Sequence, residues 1–154
     1  MAEPRVMIVM GSESDRPVMS ECLKKLQDLG VEAELHVSSA HRNPDATRRL
    51  AREAEGRGVR VLVAGAGMAA HLAGALASES TLPVIGVPLE SGPLRGMDAL
   101  LATVMMPAGV PVATMAIGSA GAANAALFAA QILALEDAGL RAKLAAIRQS
   151  WRPA

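Results

Sequence analysis

The sequence predicts an α/β fold in which helices cover both faces of a parallel sheet. Two observations support this prediction: short apolar runs with β-branched residues recur along the 154 residues, and segments with helical periodicity separate them. Such alternation is typical of parallel strands joined by right-handed crossovers. A chain of this length fits one domain, which we expect to span residues 1–154. The five candidate strands are 5–10, 32–37, 59–64, 83–87 and 111–117.

The first helix is predicted between the first two strands. Apolar residues recur there at helical spacing from Val18 to Leu29, Ser14 is a candidate N-cap, and Gly30 lies just past the end. Cys22, the only cysteine, belongs to this apolar stripe, and we expect it to be a buried and unreactive side chain. A single cysteine excludes an internal disulfide and fits a reducing compartment.

The second helix is marked by its caps, with Asn43 as N-cap and Pro44 at the first helical position. It should end near residues 56–58, where two glycines occur, and a third helix should follow residues 65–69. Residues 88–98 form the one long irregular connection that we expect, and loops of this length often cover a site.

Residues 119–136 predict a helix with almost no polar face, which is typical of a buried helix. It is either a central helix shielded by residues 138–151 or part of a subunit interface. We favour the interface, because a domain this small has little interior in which to bury such a helix. The C-terminal helix, about 138–151, should pack on the core or on a neighbouring subunit.

The composition excludes several classes of function. Fifteen basic and fifteen acidic side chains cancel, so no overall field attracts nucleic acid or an anionic membrane. One cysteine and three scattered histidines give no metal-binding pattern. The apolar stretches 61–77 and 101–118 are interrupted by glycine, histidine or proline and are better explained as strands and turns than as membrane spans. Because the N-terminus lacks a signal-peptide pattern, we expect a cytoplasmic protein.

Polar residues follow three of the predicted strands at the point where each strand ends. The three segments are V-M-G-S-E-S-D (9–15), V-S-S-A-H-R-N-P-D (37–45) and V-A-G-A-G-M-A-A-H-L (63–72). In open parallel sheets, ligands bind in the crevice at the carboxyl ends of the strands. The three segments therefore predict one composite site, suited to a phosphorylated small molecule.

The first segment carries groups that suit a sugar phosphate. Gly11 permits a tight turn, while the hydroxyls of Ser12 and Ser14, with the amides at the helix start, can bind phosphate oxygens. The Asp15 carboxylate suits a ribose diol, because it can accept two hydroxyl hydrogen bonds. Ordinary N-capping by these residues explains the same pattern equally well.

The second segment places His41 between Ser39 and Arg42. Arginine offers a planar fork for phosphate, and histidine is the side chain that gains and loses a proton near neutral pH. A lone loop histidine is more often structural. The balance changes here because His41 shares a predicted sheet edge with Ser12 and Asp15.

The third segment contains a rival pattern. Gly65, Gly67 and Ala70 match the G-x-G-x-x-A fingerprint of dinucleotide-binding folds, with Glu90 at the end of the following strand. Against that interpretation, the match follows the third strand rather than the first, and the chain has no second half for a substrate. His71 could face the pocket or cap local backbone, and we assign His36, inside the second strand, a structural role.

Six segments stand in unbroken order along the chain: residues 10–15, 39–45, 64–72, 82–88, 106–114 and 116–133. Together they resemble the N5-carboxyaminoimidazole ribonucleotide mutases of purine biosynthesis. The resemblance covers about residues 5–136 and includes the two segments typical of that family, G-S-E-S-D and S-A-H-R. It implies a flavodoxin-like three-layer α/β/α sandwich with a five-stranded parallel sheet, assembled into a homo-octamer. It also implies the reaction: in the nucleotide substrate, a carboxylate moves from the exocyclic nitrogen to C4 of the imidazole, without metal or cofactor.

The resemblance also implies roles for individual residues. His41 would act as general acid and base, and His71 would be a second histidine of the site. Arg42, Ser12 and Asp15 match substrate-binding positions. Ser14 and Ser39 would assist them. The small residues Ala64–Gly67 would let the backbone approach the ligand and hold CO2 in a closed pocket. Gly11, Ala66 and Gly67 are counted with the substrate-binding residues.

Four residues depart from the family's pattern: Met68 replaces a glycine, Ala73 a proline, Arg16 a tryptophan and Met105 a glutamine. Met68 matters most, because its side chain would either obstruct a pocket for CO2 or point away against the neighbouring helix. A related class carboxylates aminoimidazole ribonucleotide directly with CO2. The segment A-G-A-G-M-A-A-H-L (64–72) fits the mutase class better.

Overall fold

The computed structural model describes residues 3–152 and confirms the α/β prediction. Five parallel strands form one sheet in the order β2-β1-β3-β4-β5. The strands are β1 Val6–Met10, β2 Ala33–Val37, β3 Val61–Gly67, β4 Val84–Leu89 and β5 Ala113–Thr114. The helices are α1 Arg16–Asp28, α2 Pro44–Ala54, α3 Leu72–Glu79, α4 Met97–Val104, α5 Ser119–Leu133 and α6 Ala138–Ser150. Two 3-10 turns, Glu13–Asp15 and Glu55–Arg57, precede α1 and follow α2.

The helices form a layer on each face of the sheet, which gives the three-layer sandwich expected from the family resemblance. In β1, Val6, Ile8 and Met10 pack towards α1, α5 and α6. Met7 and Val9 alternate with them and pack towards α2 and α3. Both faces of the central strands are apolar, which is why these strands appear in the sequence as continuous apolar runs.

Strand boundaries differ from the predictions at β3 and β5. β3 was expected at 59–64 but continues to Gly67, because Ala66 and Gly67 still pair with Pro88 and Leu89 of β4. β5 was expected at 111–117 and pairs only over Ala113–Thr114. It lies at the sheet edge.

Helix α4, Met97–Val104, was not predicted from the sequence. It begins at the end of the segment 88–98, for which only an irregular connection was expected. Met97, Leu101 and Val104 are exposed on this helix, so its outer face is apolar and gives no amphipathic period.

Ser14 does not cap α1, contrary to the prediction. Instead Ser12 caps the 3-10 turn, and its side-chain oxygen accepts a hydrogen bond from the Ser14 amide. α1 begins only at Arg16, after that turn is complete, and Pro17 occupies its first turn. The N-cap position of α1 is Asp15, whose side chain makes no capping hydrogen bond to α1. The prediction was wrong because the sequence does not reveal the extra turn.

Helix α5 buries seven of its residues within the chain itself, against the sheet, α1 and α6. These residues are Gly121, Ala122, Ala125, Ala126, Ala129, Ala130 and Leu133. Helix α6 packs on its own chain, where Leu140 is buried and the Lys143 ammonium donates to the carbonyl of Leu29 at 2.7 Å. Most of the alanine surface is thus covered without a second subunit.

Cys22 is buried in the core, as predicted. Burial raises the pKa of its thiol to about 12, because an apolar environment disfavours the thiolate. Throughout residues 3–152, the structure contains no helix with both the length and the apolar character needed to cross a membrane.

Candidate active site

A cavity of about 360 Å³ lies at the carboxyl edge of the sheet, where the turns after β1, β2, β3 and β4 meet. All ten site residues predicted from the sequence line it: Gly11, Ser12, Ser14, Asp15, Ser39, His41, Arg42, Ala66, Gly67 and His71. Ala40, Met68, Ala69, Leu72 and Ser91 complete the lining. The structure therefore brings together residues that three separate segments supply.

The turn after β1 holds its polar groups in a compact arrangement. The amide of Ser12 donates to Asp15 Oδ2 at 3.0 Å, and the Ser14 hydroxyl donates to the Ser12 hydroxyl at 2.9 Å. The Gly11 amide donates to the carbonyl of Gly65 at 3.1 Å and so ties the turn to β3. The bond from the Ser12 amide to Asp15 is one half of a capping box, in which the Ser12 side chain in turn accepts from the backbone of Asp15, and this box orients the Ser12 hydroxyl and the carboxylate at the cavity wall.

Burial raises the pKa of the Asp15 carboxyl above the ordinary aspartate value. The hydrogen bond from the Ser12 amide opposes this effect, since it stabilises the ionised form. Desolvation is the larger of the two causes. A carboxylate that is poorly hydrated gains more from hydroxyl donors on a ligand than one surrounded by water.

The turn after β2 presents His41 and Arg42 to solvent at the cavity. Inside the turn, the Ser39 hydroxyl accepts from the Arg42 amide at 3.2 Å, and the Ser39 carbonyl accepts from the Asn43 amide at 2.9 Å. The backbone of the turn is thus fixed, while the imidazole and guanidinium groups stay accessible.

A buried hydrogen bond anchors this turn to α2. The hydroxyls of Ser38 and Thr47 lie 2.8 Å apart, and the Thr47 hydroxyl also donates to the carbonyl of Asn43 at 3.2 Å. Because Thr47 has only one hydroxyl proton, Ser38 is the donor in the first bond. Asn43 caps α2 by accepting from the Ala46 amide, as predicted.

Gly65 and Gly67, the two glycines of the third segment, are needed for different structural reasons. A Cβ at Gly65 would overlap the sulfur of Met19, so this glycine lets α1 pack closely on β3. A Cβ at Gly67 would lie 2.8 Å from the Cβ of Ser91, so this one lets the loop after β4 approach. Both glycines are inside a paired strand, whereas the dinucleotide fingerprint needs them in a turn that opens a helix.

Two tight turns separate β3 from α3. The Ala70 amide donates to the Met68 carbonyl and the His71 amide to the Ala69 carbonyl, both at 2.8 Å. Met68 begins these turns with φ at 53°, in the left-handed region. His71 then immediately precedes α3, and its ring lies 5.4 Å from that of His41, centroid to centroid. Of the two placements considered for His71, the structure shows the one facing the cavity.

The Met68 side chain also had two candidate placements, and it lines the cavity. It is 55% exposed, which places it at the mouth rather than in the interior. Ser91 was not singled out from the sequence. It follows β4 by two residues, so the strand-end reasoning applied to the first three strands would have found it if extended to the fourth.

His36 lies outside the cavity, on β2, with Nε2 3.2 Å from Glu34 Oε1. Arg57 also pairs with Glu34, which accounts for this cluster without a ligand. Among residues 3–152, no group of histidine, cysteine and acidic side chains is arranged to hold a metal ion.

A larger cavity, of about 880 Å³, lies near the amino ends of β4 and β5. Among the described residues that line it, Glu79 is the only charged one, and its carboxylate forms an ion pair of 2.7 Å with Arg52. The smaller cavity combines two histidines, an arginine, an aspartate and several serines. This lining has the groups that acid–base chemistry on a phosphorylated ligand requires, and the lining of the larger cavity lacks them.

Comparison with known proteins gives a consistent picture. The family model described as AIR carboxylase matches residues 5–153. An N5-carboxyaminoimidazole ribonucleotide mutase from Bacillus subtilis is 52% identical over 150 residues, which cover 97% of this chain and 93% of the relative. A mutase of the same name from Pyrococcus abyssi is 50% identical over 149 residues, covering 97% and 84%. The crystal structure of Treponema denticola PurE superposes with a TM-score of 0.86 at 26% identity, covering 96% of this chain and 90% of that one.

Proposed function

The chain belongs to the AIR carboxylase family and is a mutase of purine biosynthesis, and we propose that the cavity after β1–β4 is its active site. The substrate is N5-carboxyaminoimidazole ribonucleotide and the product is 4-carboxy-5-aminoimidazole ribonucleotide. The observation that carries the site assignment is the approach of His41 and His71 to 5.4 Å beside Arg42 and the serine-rich turn. We infer a histidine-based mechanism from this arrangement.

The ribose phosphate binds at the turns after β1 and β2. Arg42 provides the charged donor for the phosphate, and the Ser12, Ser14 and Ser39 hydroxyls supply further hydrogen bonds. Asp15 accepts from the ribose hydroxyls, which restore the interactions that its carboxylate lost on burial. Gly11, Ala66 and Gly67 present little side-chain bulk, so the nucleotide can lie against the backbone.

The imidazole part of the substrate then lies near the two histidines. As the bond between the exocyclic nitrogen and its carboxylate breaks, CO2 leaves and His41 supplies the proton that the nitrogen takes up. Carbon C4 of aminoimidazole ribonucleotide attacks this CO2. His41, now neutral, removes the C4 proton and the aromatic ring is restored, so atoms and charge balance over the cycle. His71 orients the reacting groups, and one proton carrier serves both steps.

The route uses no metal and no cofactor, because the substrate already carries the carboxyl group on nitrogen. The site holds the released CO2 beside C4, so CO2 need not be captured from solution. This removes the translational and rotational entropy cost of bringing the two reactants together.

Direct carboxylation of aminoimidazole ribonucleotide with CO2 is the alternative reaction, and the family description AIR carboxylase covers it. The relatives at 50–52% identity carry the mutase name, which supports the mutase. A single assay separates the two. Purified protein is given either the carbamate nucleotide or its decarboxylated parent with bicarbonate, and formation of the C-carboxylated product is measured. If the protein converts only the decarboxylated parent with CO2, the reaction is direct carboxylation and not the mutase reaction. If it converts neither substrate, the proposed function is wrong.

We also propose that the chain acts as a homo-octamer in the cytoplasm. Apolar side chains on the outer face of α4 support an assembly: Met97, Leu101 and Val104 are all exposed. Phe128 on α5 and Leu135, two residues past the end of α5, are exposed as well. Light scattering on the purified protein tests this directly, and a monomer at micromolar concentration would exclude it.

A further inference from the structure

Met68 adopts a backbone conformation that L side chains rarely take. Within residues 3–152, only Met68 and Arg95 are non-glycine residues with positive φ, at 53° and 50°. A side chain in this region crowds its own backbone, which costs free energy that the surrounding structure must offset. Such outliers cluster where function requires them. Met68 lines the active-site cavity, so it is the one to explain.

The Met68 side chain bridges two strand ends. Its Cγ lies 3.9 Å from the position that a Cβ on Gly92 would occupy, which places it against the loop after β4. The preceding pair, Gly67 and Ser91, makes a close contact between the same two segments. Met68 therefore continues the wall that these segments form, and it extends that wall to the mouth of the cavity.

A glycine at position 68 would satisfy the backbone and leave this stretch of wall open. The methionine thus adds a flexible apolar group where the cavity meets solvent, with 55% of its surface exposed. Apolar contacts cost little for CO2, which lacks charge and a strong dipole, whereas they disfavour the entry of water and bicarbonate. The long unbranched side chain can adjust to the ligand as it binds.

We propose that Met68 is a specificity-determining residue that retains the CO2 released from the carbamate and keeps it from exchanging with the solvent. This inference rests on the proposed mutase reaction. Recapture by C4 and escape compete for the same CO2. If CO2 escapes, the exocyclic nitrogen has already taken its proton, so aminoimidazole ribonucleotide and free CO2 are the balanced products.

The test uses carbamate nucleotide with carbon-13 in the migrating carboxyl group, converted in a buffer of unlabelled bicarbonate. The native protein is compared with Met68→Leu, Met68→Ala and Met68→Gly. Mass spectrometry measures the label that remains in the product, and chromatography measures the aminoimidazole ribonucleotide released. Melting temperatures confirm that each variant is folded.

We expect Met68→Leu to retain the label as the native residue does, because leucine keeps most of the bulk. Met68→Ala and Met68→Gly should both lose several-fold more label and release several-fold more aminoimidazole ribonucleotide. Alanine keeps the backbone strain and glycine removes it, so equal losses assign the effect to the missing side chain. A purely structural role would move the melting temperature and leave the partition of the label unchanged.

Two results would overturn the inference in distinguishable ways. If the native protein converts the carbamate nucleotide and all four proteins retain the label equally, the role of Met68 is wrong while the proposed function stands. If the native protein forms no product from the carbamate, the proposed function fails and the inference fails with it.

Discussion

The rings of His41 and His71 lie 5.4 Å apart between centroids, with their planes inclined by 32°. A flat heterocycle held between two rings needs about 7 Å, two layers of carbon contact. The substrate's imidazole therefore does not fit between the histidines in this arrangement. We expect it to approach their edges, where the ring nitrogens that would transfer protons are located.

Replacing His41 by asparagine should lower kcat about 100- to 10,000-fold, the usual contribution of a general acid and base. Nucleotide binding should remain measurable by calorimetry, because Arg42 and the serine-rich turn are intact. His36→Asn is the matched control, since this histidine lies on β2 outside the cavity and pairs with Glu34. Full turnover by His41→Asn would remove His41 from the mechanism.

Substrate affinity should fall on acidification at a higher pH than an ordinary aspartate would produce. Burial raises the pKa of Asp15, and only its ionised form accepts from both ribose hydroxyls. Because the pKa is raised, the carboxylate is lost sooner as the pH falls. Profiles of KM against pH for the native protein and Asp15→Asn test this expectation. The substrate phosphate titrates with both proteins, whereas Asp15 titrates only in the native one. Identical profiles for the two proteins would therefore contradict a role for the Asp15 carboxylate in binding the ribose.

Gly121→Ala should destabilise the fold by about 3 kcal/mol, the upper end of the usual range for overpacking, because the site has no room for a methyl group. A Cβ on this residue would overlap the carbonyl oxygen of Ala116, which is backbone and cannot rotate away. Gly139→Ala is the control on α6. Its Cβ would meet only Asp137 Oδ1 at 3.5 Å, so a gain of up to about 1 kcal/mol is expected. Urea unfolding measures both, and equal midpoints would refute the argument.

Asp137 should make the docking of α6 sensitive to acid. The hydrogen bond from the Leu140 amide lowers the pKa of Asp137, and the Arg5 guanidinium adds to the effect. A lowered pKa means that the stabilisation is present above the ordinary value of 3.8 and is lost as the pH falls through the lowered value.

The variant Asp137→Asn isolates this contribution, since asparagine also caps helices but carries no charge. The native protein should have the higher melting temperature at neutral pH, and the difference should vanish in strong acid. A difference that stays constant across this range would show that the charge is irrelevant.

The sequence predicted the sheet, and it predicted which residues line one cavity, because both follow from patterns within short segments. The central strands are apolar on both faces, and the polar residues after β1, β2 and β3 converge wherever parallel strands end together. What it missed depends on contacts between distant segments. Helix α4 has an apolar outer face and no helical period to read. The distance between His41 and His71 and the positive φ of Met68 arise from tight turns. No pattern of residue types in the sequence predicts these turns.

The aromatic content of the chain has a practical consequence for watching it unfold. Trp151 is the sole tryptophan, there is no tyrosine, and this ring is 62% exposed just past α6, beneath the Arg148 guanidinium. Intrinsic fluorescence would consequently report the detachment of α6 and would not report the unfolding of the sheet. Unfolding of the sheet would have to be measured by circular dichroism. A difference between the midpoints of the two unfolding curves would show whether α6 separates before the sheet unfolds.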